Sequence, residues 1–317
     1  MRADKKLAAA TLASMALFGA QQVAQAKAVM IPFIAVGNGW QTIVSYVYDG
    51  GTLNTLHIAY NLKPAVTTGA CLHTDGIVST SPNDLTSFFV DGTTNTPGTI
   101  YGDTTGGAYA PVVGATTYFG FMAVATESAA AVSLGTAGLA VETISYNAGL
   151  RFLYAQRSID LNHTALNSAV AFLNTGLVPG QTTKFMSFAN PDSNPYVYAV
   201  GVNTINSVFD APYSVFITLN KTNNAWWDRI ERQFSDNISL SDQCVTLWPV
   251  CAPSSAPTTG FISNLNCQAG TIFAKQGGWF HLVNSDPFNN AIVFKVESNP
   301  NYGYAVTPLH PLQYTTE

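Results

Sequence analysis

The sequence predicts an all-β protein, an antiparallel β-sandwich of jelly-roll or immunoglobulin-like type that follows a cleaved export signal. Three observations carry this prediction. Strand-length apolar runs recur along the chain, turn dipeptides separate them, and few stretches have helical spacing. The expected organisation is a signal peptide over 1–26 and a β-sandwich over 27–317. That sandwich is either one large domain or two lobes meeting near 157–164.

The first 26 residues have the three parts of a secretory signal. Arg2, Lys5 and Lys6 precede the apolar stretch from Leu7 to Ala20, and Ala24-Gln25-Ala26 presents small residues for cleavage before Lys27. The apolar stretch is short of the roughly 20 residues that cross a bilayer. The most apolar later segment, Tyr118 to Tyr146, carries Glu127 and Glu142 and is broken by glycines, so no membrane span is expected. Cleavage removes three cations and Asp4, leaving 10 Lys+Arg against 17 Asp+Glu, so the net charge moves from −5 to −7. Nucleic acid is therefore an unfavourable partner. Only 10% of residues are charged, where about 25% is usual. Thr, Ser, Asn, Gln and Gly must cover the surface instead.

The first apolar run, Val29–Val36, is separated from Ile43–Tyr48 by Gly37-Asn38-Gly39. Asn-Gly readily takes φ > 0 at both centres of a type I′ turn, so a hairpin is expected, with Asp49-Gly50 as the next turn. Thr55–Lys63 alternates cleanly. Leu56, Ile58, Tyr60 and Leu62 face a core, and Thr55, His57, Ala59, Asn61 and Lys63 face water. Pro64 then stops the strand, having no N–H to donate. The stretch 67–107 reads as turn-rich, with Asp75-Gly76, Asp91-Gly92 and Pro97-Gly98 as turns and Leu85–Val90 as its firm strand.

Strands resume at Thr117–Thr126, Leu139–Tyr146 and Arg151–Gln156. Beyond Pro179-Gly180 come Thr183–Ala189, Tyr196–Val202 and Ser214–Asn220, and the last strands are Thr271–Ala274, Gly278–Asn284 and Ala291–Glu297. Ala165–Leu173 and Ala225–Phe234 fit helix and strand equally. Gly39-Trp40 and the five residues after it echo Gly278-Trp279 and its followers, too little for a repeat architecture.

Four cysteines in an exported chain point to disulfides, with three possible pairings. Cys244 and Cys251 bracket a small loop that one bridge could close, which leaves Cys71 with Cys267.

Four motifs taken in order, I-P-F-I-A-V-G-N-G-W-Q-T-I-V-S-Y-V-Y at 31–48, G-L-A-V-E-T-I-S-Y-N at 138–147, G-G-W-F-H-L-V-N at 277–284 and N-A-I-V-F-K-V-E at 290–297, give the chain a family likeness. It resembles a group of uncharacterised secreted β-rich proteins of Gram-negative bacteria. The resemblance implies an exported bacterial β-rich fold and brings no catalytic residues. The segment holding Cys244 and Cys251 looks like an addition to that pattern, which favours joining those two.

No G-x-S-x-G elbow, H-E-x-x-H pair or phosphate-cradling loop is present, and the five histidines are scattered. Asp228 and Glu231 are the nearest approach to a carboxylate pair, but pairing with Arg229 or Arg232 at the surface is the simpler expectation. Trp226, Trp227 and Trp279 are candidate ligand-contact aromatics, with Trp40 and Trp248 as further members. Core packing is the competing role for each. Asp75, Asp84, Asp91 and Asp103 offer hard oxygen ligands for Ca²⁺, yet without EF-hand spacing an ordinary turn role is expected and no cofactor is assigned.

The expected function is a secreted structural or adhesive protein of the bacterial cell surface or extracellular matrix, not an enzyme. Its partners would be further copies of itself, in a filament, or surface glycans. The alternative is a non-catalytic carbohydrate-binding sandwich. For self-assembly the candidate strand is Val29–Val36, with Val29, Ile31, Phe33, Ile34 and Val36 as its apolar teeth, since an uncharged strand near a free terminus is a template for another sheet edge.

Overall fold

A computed structural model describes residues 28–48, 54–64, 67–81, 84–101, 110–126, 139–160, 176–188, 195–203, 209, 211–235, 239–252, 260–262, 267, 277–299 and 303–309. The signal peptide, Asp49-Gly50, Asp103, Ala165–Leu173 and Thr271–Ala274 lie outside these. Among the described residues the chain is an all-β sandwich of antiparallel sheets. The first half carries β1 (Ala28–Val36), β2 (Trp40–Tyr48), β3 (Asn54–Pro64), β4 (Leu72–Thr80), β5 (Asp84–Val90), β6 (Gly98–Tyr101), β7 (Tyr118–Thr126), β8 (Leu139–Asn147), β9 (Phe152–Arg157) and β10 (Ile159–Asp160). The second carries β11 (Thr182–Phe188), β12 (Tyr196–Asn203), β13 (Phe216–Lys221), β14 (Ala225–Asp228), β15 (Gln233–Ser235), β16 (Ser239–Gln243), β17 (Val245–Pro249), β18 (Gly277–Asn284), β19 (Asn289–Asn299) and β20 (Gly303–Pro308).

These strands form three sheets. The first sheet runs β10-β1-β7-β3-β4, and the last runs β15-β14-β18-β13-β16 with β11 also paired to β18. A long sheet, β17-β12-β19-β20-β9-β8-β2-β5-β6, is shared by both halves and joined at the parallel pair Tyr304–Phe152. The two halves have the same plan. In the first, β1-β7-β3-β4 faces β9-β8-β2-β5; in the second, β11-β18-β13-β16 faces β20-β19-β12-β17. Corresponding strands occur in the same chain order, and β6, β10, β14 and β15 are additions. The Trp40 and Trp279 echo is not this repeat. Trp40 points into a core, whereas in β18 it is Phe280, the next residue, that does so.

Packing makes four layers. Val29, Ile31, Ile34 and Val36 of β1 join Val44, Tyr46, Phe88 and Val141 in the core between the first sheet and the first-half arm of the long sheet. Ala28, Met30, Phe33 and Ala35, on the other face of β1, meet Tyr198, Val200 and Phe294 from the second-half arm. The opposite face of that arm, with Val197, Ala199 and Val293, packs on Phe185, Ile217 and Phe280 of the last sheet. The first sheet and the second-half arm are thus each covered on both faces.

This burial corrects several expectations. β1, expected as an assembly strand, is a strand of its own domain here: it pairs with β7 along its length and with β10 at Val29 and Met30, and all nine residues are buried. A continuous apolar run suits a strand covered on both faces better than an open edge. Pro32 is tolerated in this interior strand because the register shifts between Ile31 and Ile34, a bulge that leaves its missing N–H outside the ladder. The same bulge changes which face alternate residues take. Asn38 and Gly39 do have positive φ, and Trp40 N–H donates to Gly37 O at 3.0 Å. The turn makes one bridge, however, and then sends β2 into the other sheet rather than back along β1.

The polar face of β3 is buried too. Lys63 Nζ lies 2.6 Å from Asp242 Oδ2, and Asn61 donates to Phe209 O at 3.0 Å while accepting from Tyr213 N–H at 3.1 Å. His57, expected in water, is 4% exposed and contacts Asp75 Oδ2 at 3.1 Å. Asp75-Gly76, expected as a turn, lies inside β4.

The cysteine pairing is also corrected, to Cys71–Cys244 and Cys251–Cys267, with Cα separations of 5.8 and 5.7 Å. The residues between Cys244 and Cys251 are β17, an extended strand rather than a loop. Seven residue steps of strand hold its ends roughly 20 Å apart, far beyond the reach of a disulfide.

Candidate functional site

Among the described residues, stacking leaves two broad sheet faces with no layer on them, the outer face of the last sheet and the outer face of the first-half arm. On the last sheet the period of two turns Phe185 and Thr183 of β11 inward and Lys184 and Met186 outward. In β18 it turns Phe280 and Leu282 inward and Trp279 and His281 outward. Register then lines them up: Met186 pairs with Trp279, which pairs with Trp227 of β14, and Lys184 pairs with His281. Met186 is 57% exposed and Phe216, on β13, 43%.

Trp227 and Trp279 stack, with ring centroids 4.4 Å apart and planes 14° from parallel. Directly opposed residues on neighbouring strands sit at about this spacing. The stacking axis therefore runs across the strands, and the indoles stand on edge over the sheet. Lys184 Nζ is 5.8 Å from the Trp279 centroid, and His281 lies 5.3 Å from it. Burial, helped by the Lys184 charge, lowers the His281 pKa, so the imidazole is neutral at neutral pH. The surface is an aromatic ridge with the Lys184 cation beside it.

Of the expected aromatics, Trp227 and Trp279 come together here and Trp226 does not. The 225–234 stretch, open to helix or strand on sequence, is a β14–β15 pair, so adjacent tryptophans point to opposite faces. Trp226 is buried against Phe234 at 4.3 Å. Trp40 packs on Phe152, and Trp248 on Phe261, in the cores.

Asp228 closes a loop. Its Oδ1 accepts from Ile230 and Arg232 N–H, and its Oδ2 from Arg232 Nε at 2.8 Å. Burial opposes ionisation, but these hydrogen bonds outweigh it and hold the carboxyl below its ordinary range. Such a carboxylate is a structural acceptor with both oxygens engaged. Asp84 accepts from Thr80 and Asp91 from Thr93, each a turn or strand-end role. His57 and His73 both reach Asp75, at 3.1 and 3.3 Å, a grouping that sequence reasoning missed because it needs the β3–β4 register. Among the described residues no His, Cys, Asp or Glu group has a metal-site arrangement.

The second uncovered surface lies on β5, β2, β8 and β9. The register lines up Leu85, Val47 and Ala140 in one row, and Phe89, Ile43, Ile144 and Ala155 in another. Between them run Ser87 and Ser45, bonded at 2.8 Å, and the Glu142–Arg157 pair at 2.6 Å. Leu153, beyond these rows, is 58% exposed. Sequence patterning marked these strands but not this face, because nothing in a single strand says which side the partner sheet takes. The two disulfides fit an oxidising compartment, and no described helix is long and apolar enough to cross a membrane. No protein-family model, curated protein or solved structure matches this chain.

Proposed function

We propose that this is an exported structural or adhesive protein of the bacterial cell surface or extracellular matrix, working by surface contact rather than catalysis. One observation carries the reading. Both uncovered sheet faces hold exposed large apolar side chains, Val47, Leu85 and Leu153 on one and Met186 and Phe216 on the other, and broad faces of this kind mark interaction surfaces. The export signal, the low charge and the disulfides agree with it. The test is fractionation of the producing cells. The protein is expected in the surface or shed-matrix fraction, beginning at Lys27, and its gene deletion is expected to weaken cell-to-cell or cell-to-surface attachment. Recovery as a soluble periplasmic protein, with attachment unchanged, overturns the reading.

Carbohydrate binding is the second reading, favoured by Trp227 and Trp279 sharing an outer face. A pyranose packs on an indole face, however, and here each indole turns its faces toward side chains of neighbouring strands. A glycan array with Trp279→Ala as control separates the two.

A further inference from the structure

The chain contains its own example of how these faces are covered. The outer face of the first sheet lies against the outer face of the second-half arm, and that contact joins the two halves. In the duplicated plan the last sheet corresponds to the first sheet, and the first-half arm to the second-half arm. One face of each kind is therefore covered within the molecule, and among the described residues one of each kind has no layer on it. The open pair are the complements of an interface the fold already makes.

Side-chain size supports the match. Inside the molecule the first sheet presents Met30, Phe33 and Phe121 beside the small Ala28, Ala59 and Ala123, and the arm presents Tyr198, Val200 and Phe294, with Phe33 and Tyr198 edge to face at 5.0 Å. The open faces are built alike, large apolar side chains mixed with small ones: the last sheet offers Met186, Trp279 and Trp227, and the open arm offers the Leu85-Val47-Ala140 and Phe89-Ile43-Ile144-Ala155 rows with Ser45 between them. An edge-on indole ridge suits insertion between rows, as packing at interior density requires.

We propose that the last sheet of one molecule stacks face to face on the first-half arm of a second copy, continuing the four-layer order from molecule to molecule. The contact is heterologous, so it repeats into an open filament unless its rotation closes a ring. This proposal rests on the surface-contact reading above and names its partner as the same chain. It replaces the donation of β1, which is buried at home.

The test uses the mature, disulfide-bonded chain in sedimentation velocity and negative stain over a concentration series. Wild type is expected to form linear or ring assemblies. Val47→Glu/Leu85→Glu blocks the arm face, and Met186→Glu/Phe216→Glu blocks the last sheet. Both pairs are exposed, so each variant is expected to keep the wild-type circular dichroism and melting temperature, and to remain monomeric. Mixing the two variants leaves one intact face on each, so the mixture is expected to form 1:1 dimers and nothing longer. A wild type monomeric at every concentration overturns the proposal, as does assembly surviving in either variant. Failure of the mixed variants to pair also overturns it, because the two intact faces would then not be complementary. Surface fractionation stays informative in every case: a surface-retained monomer refutes the stacking and leaves the contact reading standing.

Discussion

Tyr198 and Lys63 show how much of the join between the halves rests on single polar groups. The Tyr198 phenol shares its proton between Pro32 O at 2.8 Å and Gly120 O at 2.7 Å, both on the first sheet. Burial raises its pKa well above 10, aided by Tyr154, and raises that of Tyr154 itself to about 12. A phenol raised in this way contributes stability that is whole below the unfolded value of 10 and disappears as pH climbs through the folded value. Alkaline unfolding is therefore expected to begin above pH 10, with phenolate absorbance and loss of circular dichroism rising together, and Tyr198→Phe should shift the onset upward in pH. A transition complete below pH 9 would contradict this.

Lys63 is the harsher case. Burial lowers its pKa although Asp242 works to raise it, so the ammonium depends on that one carboxylate and on Gly69 O and Gln243 O. Lys63→Met alone leaves a buried anion and is expected to cost about 3–5 kcal/mol, whereas Lys63→Met/Asp242→Leu should cost distinctly less. Denaturant melts of the two variants decide it, and equal losses would show that the ion pair is not the reason.

At the scale of elements the cysteines are the sharpest test. Chain entropy assigns about 5 kcal/mol to the Cys71–Cys244 closure and about 3 kcal/mol to Cys251–Cys267. Cys71→Ser/Cys244→Ser is therefore expected to destabilise more than Cys251→Ser/Cys267→Ser. Non-reducing peptide mapping should recover those two pairs, and a Cys244–Cys251 peptide would refute the structure here.

The pairing expected from sequence takes V-T-L-W-P-V for a loop, where the structure has an extended strand. Strands with clear apolar periodicity, such as β3, β7, β8 and β19, were legible within a residue or two. β4 and β16 were not, because His, Thr, Asp, Ser and Gln on strands at sheet margins look like loop composition, and β17 was not, because it is a five-residue strand between two cysteines that ends on Pro249. The bulge at Pro32 was equally hidden, since it changes the facing of residues without changing their hydrophobicity. Trp227 and Trp279 were legible as a candidate pair, but sequence could not exclude Trp226 while helix and strand remained open for its segment.

Over the whole molecule the main discrepancy is the fate of polar faces. Period-two alternation on β3 predicted one dry face and one wet face, and the wet face turned out to be the join. His57, Asn61 and Lys63 are buried there with specific partners, and alternation cannot distinguish a polar residue facing water from one facing a partner. The duplication was hidden for a related reason. It lives in strand order and pairing, which many sequences satisfy. The last prediction follows from that join. A first half alone, residues 27–160, would expose Met30, Phe33 and Phe121, and a second half alone would expose Tyr198, Val200 and Phe294. Neither loss is small, since burying one large apolar side chain is worth about 1.5–3 kcal/mol. The halves also share the Cys71–Cys244 bridge and the Lys63–Asp242 pair. The mature chain should therefore melt in one calorimetric transition whose van't Hoff and calorimetric enthalpies agree, and either half expressed separately should be insoluble or unfolded. Two resolved transitions, or a soluble monomeric half with cooperative unfolding, would mean that the halves are independent domains and that their shared core is only a contact.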